Sequence, residues 1–222
     1  MTIRLYLVRH GETPMNQAGK LQGITDAPLT ARGQLAAKKL GELLKDVPFK
    51  QAFSSDRQRA VDTANEILSF HNPMPPLKQL TGLREYYFGG LEGQSEQRLF
   101  RRIFTNFGIK AGPQLWFGPE RFDYMIHYFK TMDPTGQAES LAELNSRVRA
   151  AFDQVETQSP DGDVLVVAHG VVLSALIRLI DPTDLPLTLL KNTSVSRIDI
   201  DGDDWRVVGV NLTSESELAK LE

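Results

Sequence analysis

The chain has 222 residues, 41% hydrophobic and 24% charged, with a formal charge of -3 at pH 7. That length supports one sizeable core, and the mildly acidic balance gives no reason to expect nucleic acid or an acidic membrane as a partner. The absence of cysteine excludes disulfides, cysteine nucleophiles and thiolate metal sites.

No stretch approaches the roughly 20 apolar residues of a membrane span, and no charged leader precedes an apolar segment, so the expected location is the cytoplasm. Leu221-Glu222 resembles the remnant of an expression tag and is given no role. The sequence does not indicate an oligomeric state.

In chain order, Ile3 to Val8 reads as a buried β-strand, and a polar cluster, Arg9-His10-Gly11-Glu12, begins where that strand should end. In "LTARGQLAAKKLGELLKD", Thr30 caps a helix whose Leu35, Ala36, Leu40, Leu43 and Leu44 fall on one face. A short strand around Gln51 to Phe53 runs into the helix "SSDRQRAVDTANEIL", with Ala60, Ala64, Ile67 and Leu68 inward. Ser140 and Glu143 form a capping-box signature for a third helix, with Leu141, Leu144, Val148, Phe152 and Val155 at helical spacing.

"DVLVVAHG" lacks polar alternation, which suits a central parallel strand covered on both faces, and the helix "VVLSALIRLI" follows it. "SRIDIDGDDWRVVGVNL" reads as a hairpin turning around Asp201-Gly202 at the sheet edge. The expected fold is a three-layer α/β/α sandwich with a mostly parallel central sheet, an antiparallel edge hairpin and a helical cap. It forms a single domain over 1–222, with the cap inserted at about 94–136. Residues 98–130 hold nine of the 18 aromatics, and six basic residues against two acidic ones. The aromatics should pack the cap onto the body, and the positive excess points to a leaving group with its own anion.

In open α/β sheets, ligands bind beyond the carboxyl ends of the strands. Two strands deliver His10 and His169 there, each in a strand-His-Gly context, and Ser54, Ser55 and Asp56 follow a third. Arg9 adjoins His10, Arg59 lies early in the helix after Ser55, and Gly170 precedes a helix start. Arginine forks match tetrahedral oxyanions, and a helix N-terminus adds amide donors, so the assembled site would hold phosphate.

Four segments, "LVRHGET", "SSDRQRAVDTA", "LREYYFGGLEG" and "VVAHGVVLSALI", resemble the signatures of the histidine phosphatase superfamily, the phosphoglycerate mutase-like family. They occur in the family's order and span most of the chain. The resemblance implies that His10 attacks phosphorus and becomes a phosphohistidine, with Arg9, Arg59 and His169 around the phosphoryl group. It implies neither metal nor cofactor, and a small-molecule phosphate ester as substrate.

Asn16 matches a position that donates to the phosphate, Gly170 belongs to the same site, and Gln22 and Gly23 match a segment on the pocket rim. Attack by His10 needs its second ring nitrogen held by an acceptor, which the sequence does not name. Glu85 matches the glutamate expected to act as acid and then base, with Glu12 as the alternative. "REYYFGGLEG" resembles the phosphatase branches, although Met15 and Leu91 stand where tryptophan is common there.

A metal-independent phosphatase, a cofactor-dependent phosphoglycerate mutase and a weakly catalytic phospho-ligand binder are therefore the readings carried forward. No Gly-Lys-Ser/Thr loop follows a strand and no His-Glu-x-x-His helix occurs, which argues against a P-loop enzyme and a zinc hydrolase.

Overall fold

The computed structural model describes residues 2–108, 111–116, 118–159, 161–186 and 190–221. Strand β1 (Thr2–Arg9) leads through a one-turn helix α1 (Pro14–Gln17) to α2 (Ala31–Leu43), β2 (Phe49–Ser54), α3 (Gln58–Leu68) and β3 (Leu77–Gln79). Helices α4 (Glu96–Phe107), α5 (Ala111–Trp116), α6 (Arg121–Met132) and α7 (Leu141–Gln158) follow. The chain then runs through β4 (Gly162–Ala168), α8 (Gly170–Ile180), β5 (Val195–Asp201), β6 (Asp204–Leu212) and the short α9 (Glu215–Leu218).

Among the described residues the sheet has six strands in the order β3-β2-β4-β1-β5-β6. The first four run parallel, and the β5-β6 hairpin joins β1 antiparallel. This is the expected sandwich. On β4, Val164, Val166 and Ala168 face the core beneath α7 and α8, whereas Leu165 and Val167 face the core beneath α2 and α3. A strand covered on both faces has no place for polar alternation, which is why "DVLVVA" carries none after its first residue. Each fully enclosed side chain of this kind contributes about 1.5–3 kcal/mol.

The Ser140–Glu143 capping box forms and opens α7, with the Ser140 amide 2.7 Å from the Glu143 carboxylate. In α2 the inner face differs from the expected one. Gly33, Ala37, Leu40 and Gly41 are buried, with Leu44 just beyond, while Leu35 and Leu43 are 54% and 41% exposed. The reason is close approach. A Cβ on Gly33 would lie 2.3 Å from the Glu12 carbonyl oxygen, and one on Gly41 would lie 2.9 Å from the Ile67 Cα. The helix therefore rests on its smallest residues, and its leucine stripe is rotated partly into solvent.

Strand β3, too short to stand out in the sequence, pairs with β2 at the sheet edge. Leu221 is no bystander either, because it packs in the core beneath α2 and its carbonyl accepts from Arg197 Nη1. Glu222 lies outside the described residues. No helix among the described residues is long and apolar enough to cross a membrane.

Candidate active site

The connection after β1 leads to α2 on one face of the sheet, and the connection after the adjacent β4 leads to α8 on the other. Such a divergence opens a crevice at the carboxyl edge, where α/β sheets bind ligands. His10 follows β1 and His169 follows β4, tied by the His10 amide donating to the Ala168 carbonyl at 2.9 Å. Their rings stand edge to face with centroids 5.1 Å apart.

His10 is 2% exposed. Its Nδ1 lies 2.8 Å from the Gly11 carbonyl oxygen, and its Nε2 lies 3.3 Å from Arg59 Nε. A carbonyl only accepts and a guanidinium only donates, so the proton sits on Nδ1 and the lone pair on Nε2. Burial, and then the nearby Arg59 and Arg9 cations, hold the His10 pKa well below its ordinary 6.5. His169 is shifted the same way by burial, then by Arg59, and both its ring nitrogens are buried without a hydrogen-bond partner. Arg9 Nε is likewise unpartnered, while its Nη1 donates to the Leu190 carbonyl. Buried polar atoms left unpaired are costly, and their convergence beside the His10 lone pair describes an anion cradle.

Arg59 is fully buried at the second position of α3. Its Nη1 donates to the Thr25 carbonyl at 2.9 Å and to Asp26 at 3.3 Å, and its Nη2 donates to the Gly23 carbonyl at 2.9 Å. Thr63, one turn further along α3, accepts the Gly11 amide at 2.9 Å and donates to the Arg59 carbonyl at 2.7 Å.

The expected open amides at the start of α8 are occupied. The Glu85 carboxylate accepts from Val171 and Val172, at 3.1 and 3.2 Å, and from Tyr86 at 2.8 Å. It caps a helix whose own N-cap residue, His169, supplies no side-chain bond. Burial raises the Glu85 pKa above its ordinary 4.5, against the opposing pull of those amides and of Arg9 and Arg59. Asp56 pairs with Arg84 and so anchors the segment that presents Glu85. Glu12 turns to Thr30 Oγ1, at 3.0 Å, and towards exposed Arg32. Gly170 lacks a side chain where the Arg9 guanidinium packs, 3.4 Å from the place of a Cβ.

Asn16 Oδ1 accepts from the Thr13 amide at 3.2 Å. Gln22 receives the Thr13 hydroxyl at 2.7 Å and donates to the Thr25 carbonyl. The Gly23 amide donates to Glu92 at 2.9 Å. Gln22 and Gly23 thus build the loop that grips Arg59.

Asn192 was not legible in the sequence, for no strand or motif announces it. Its Nδ2 donates to the His10 carbonyl at 2.9 Å and to Asn16 Oδ1 at 3.2 Å. The neighbouring Thr193 holds a left-handed φ of 55°, which turns the backbone there. Among the described residues, no three His, Asp or Glu side chains are grouped as metal ligands would be.

Next to this cluster lies a cavity of about 500 Å³ bordered by Arg9, Asn192 and residues of α4, α5 and α6. The cap's positive charge is mostly turned away from it. Arg98 and Arg101 are exposed, Arg102 donates to Gln94, and Lys130 donates to the Gly136 and Ala138 carbonyls. Arg121 borders the cavity but donates to the Gly118, Leu185 and Pro186 carbonyls. Lys110 lies outside the described residues. Phe122, Tyr128 and Phe129 are buried as packing aromatics, whereas Phe104 is 39% exposed.

Paired histidines and arginines at the carboxyl ends of adjacent strands are the apparatus of an α/β protein that handles phosphoryl groups. The chain belongs to the histidine phosphatase superfamily (branch 1), whose family model matches residues 5–213. It is 30% identical over 210 residues to the phosphatase PhoE of Bacillus subtilis (strain 168), covering 94% of each chain. It is 30% identical over 192 residues to the 2,3-bisphosphoglycerate-dependent phosphoglycerate mutase of Bifidobacterium longum (strain DJO10A), covering 82% of this chain and 78% of that one. The crystal structure of phosphoglycerate mutase from Bacillus anthracis superposes with a TM-score of 0.88 at 32% identity, over 99% of this chain and 96% of that one.

Proposed function

We propose that the protein is a metal-independent phosphatase that hydrolyses small organic phosphate monoesters through a phosphohistidine at His10. The observation that supports this reading is the fixed tautomer of His10, whose Nε2 lone pair faces the cluster of Arg9, Arg59 and His169. In the first displacement Nε2 attacks phosphorus, the ester P–O bond breaks, and the Glu85 carboxyl gives its proton to the departing alkoxide. In the second, Glu85 takes a proton from water, the hydroxide attacks phosphorus, the N–P bond breaks and phosphate leaves. Arg9, Arg59 and His169 stabilise charge on the phosphoryl oxygens, a task that metal ions perform in other phosphoryl-transfer enzymes. The helices within 94–136 form a cap over the leaving group.

The test is phosphate release from p-nitrophenyl phosphate in EDTA by the wild type and by His10→Ala. Release that survives chelation and is lost in the variant is expected. Release by His10→Ala would sink the assignment of the nucleophile. The second reading is a phosphoglycerate mutase, favoured by relatives of that name, and it would appear as phosphoglycerate interconversion without net phosphate release.

A further inference from the structure

Residues 84–88, which carry Glu85, belong to neither helix nor strand, so their backbone groups must find partners elsewhere. Arg147 of α7 supplies several of them. Its Nη1 donates to the Gly82 and Arg84 carbonyls, at 2.9 and 2.7 Å, and its Nη2 reaches the Glu85 carbonyl at 3.5 Å. The same fork grips Glu139, whose two carboxylate oxygens accept from Nε and Nη2 at 2.7 Å each.

Glu139 extends the grip along the segment. Its carboxylate accepts the Tyr87 amide at 2.9 Å, its own amide donates to the Tyr87 carbonyl at 3.1 Å, and its carbonyl takes the Tyr86 hydroxyl at 2.6 Å. Glu139 directly precedes the Ser140 cap and Arg147 lies two turns along α7, so the ion pair is mounted on one helix. The segment also lies close against that helix, since a Cβ on Gly82 would stand 2.8 Å from the Ala151 Cβ. Asp56 holds Arg84 from the other side. Between these two anchors the Glu85 carboxylate reaches the Val171 and Val172 amides. Every hydrogen bond of the Arg147 side chain among the described residues goes to Glu139 or to the backbone of 82–85, although its charge is also felt at His169.

Resting on the phosphatase reading, we infer that Arg147, locked by Glu139, is a positioning residue for Glu85, fixing the backbone from which that carboxyl reaches the leaving oxygen. The role needs a planar fork. A lysine would return the charge without the carbonyl and carboxylate bonds that set the geometry.

The experiment measures kcat/KM for ethyl phosphate and p-nitrophenyl phosphate in the wild type, Arg147→Met and Arg147→Lys, with thermal melts to establish folding. Both variants should lose about tenfold or more on the alkyl ester, as small misplacements of reacting groups do. The nitrophenyl ester, which needs no proton donor, should lose less than about threefold. Equal losses on the two esters, no loss on ethyl phosphate, or wild-type values in Arg147→Lys would overturn the inference while leaving a His10-dependent phosphatase standing. Arg147→Lys, which keeps a cation opposite Glu139, carries the test alone where Arg147→Met does not fold. If the wild type hydrolyses neither ester, the phosphatase reading fails, and hydrogen exchange decides the positioning. Faster exchange in the variants at the Val171 and Val172 amides, with Leu176 and Ile177 unchanged, upholds it, and unchanged or uniformly faster exchange overturns it.

Discussion

The Gly11 carbonyl oxygen lies 2.8 Å from Nδ1 of His10, so the residue after the histidine selects its tautomer. The selection is built into the turn that leaves β1, and Arg59 Nε, donating to Nε2, supports it from the other side of the ring.

Because burial and two arginines depress the His10 pKa, the proposed nucleophile stays neutral in mild acid. In kcat/KM for an alkyl phosphate the acid limb assigned to His10 should lie well below 6.5. The alkaline limb belongs to Glu85, which must be protonated to act as an acid, and should lie above 4.5. In Glu85→Gln the alkaline limb should vanish and the acid limb remain. An acid limb centred at 6.5 would contradict the buried neutral histidine.

Glu85 and Glu12 separate by leaving group. Glu85→Gln should lower kcat/KM by about 10²–10⁴ for an alkyl phosphate and much less for p-nitrophenyl phosphate, whose anion leaves unaided. Glu12→Gln, whose carboxylate bonds Thr30, should change kcat less than tenfold for either ester. Steady-state kinetics on both substrates decides between them.

Asn192→Ala removes the donor to the His10 carbonyl and to Asn16. Stability should fall by about 1 kcal/mol. Loss of kcat should exceed loss of substrate affinity, because the loop carrying His10, the proposed nucleophile, loosens while Arg9 and Arg59 remain. An unchanged kcat would show that the bond does no positioning.

Both buried histidines favour the neutral form in the folded state, so the unfolded chain binds more protons once the pH falls below 6.5. The stability they contribute is complete above 6.5 and declines as pH falls from there towards their folded pKa values. The slope is at most about 1.4 kcal/mol per pH unit for each histidine. Urea unfolding between pH 7 and pH 5 should show this, and His169→Gln should reduce the slope.

Gly33→Ala drives a methyl group against the Glu12 backbone and should destabilise the fold by about 1–3 kcal/mol. Leu35→Gln, on the exposed side of the same helix, should stay within about 0.5 kcal/mol. Thermal melts that ranked the two substitutions the other way would restore the leucine face as the buried one.

That contrast marks where sequence reasoning stopped. The strands, the Ser140 cap and the edge hairpin follow from local patterns, and His10, His169 and Arg59 were marked by their places after strands. The packing face of α2 depends instead on how near another backbone comes, and hydrophobic spacing carries no such information. Asn192 and Thr63 act through partners 182 and 52 residues away, a relationship that appears only once the chain is folded. The capping of α8 by Glu85 was hidden for the same reason, with the carboxylate and the amides 86 and 87 residues apart. The basic composition of 98–130 gives the number of charges, whereas which of them border the cavity, as Arg121 does, appears only in the folded chain.

Thr63 carries a consequence for the dynamics of the site. Arg59 and Thr63 are one turn apart on α3, and Thr63 holds the Gly11 amide, so the gap between guanidinium and imidazole is gauged by a helix. The loop carrying Gly23 and Thr25 grips the far end of the same guanidinium, so helix and loop fix its place together. A charged ligand arrives at dipoles already in place, and little reorganisation accompanies its binding.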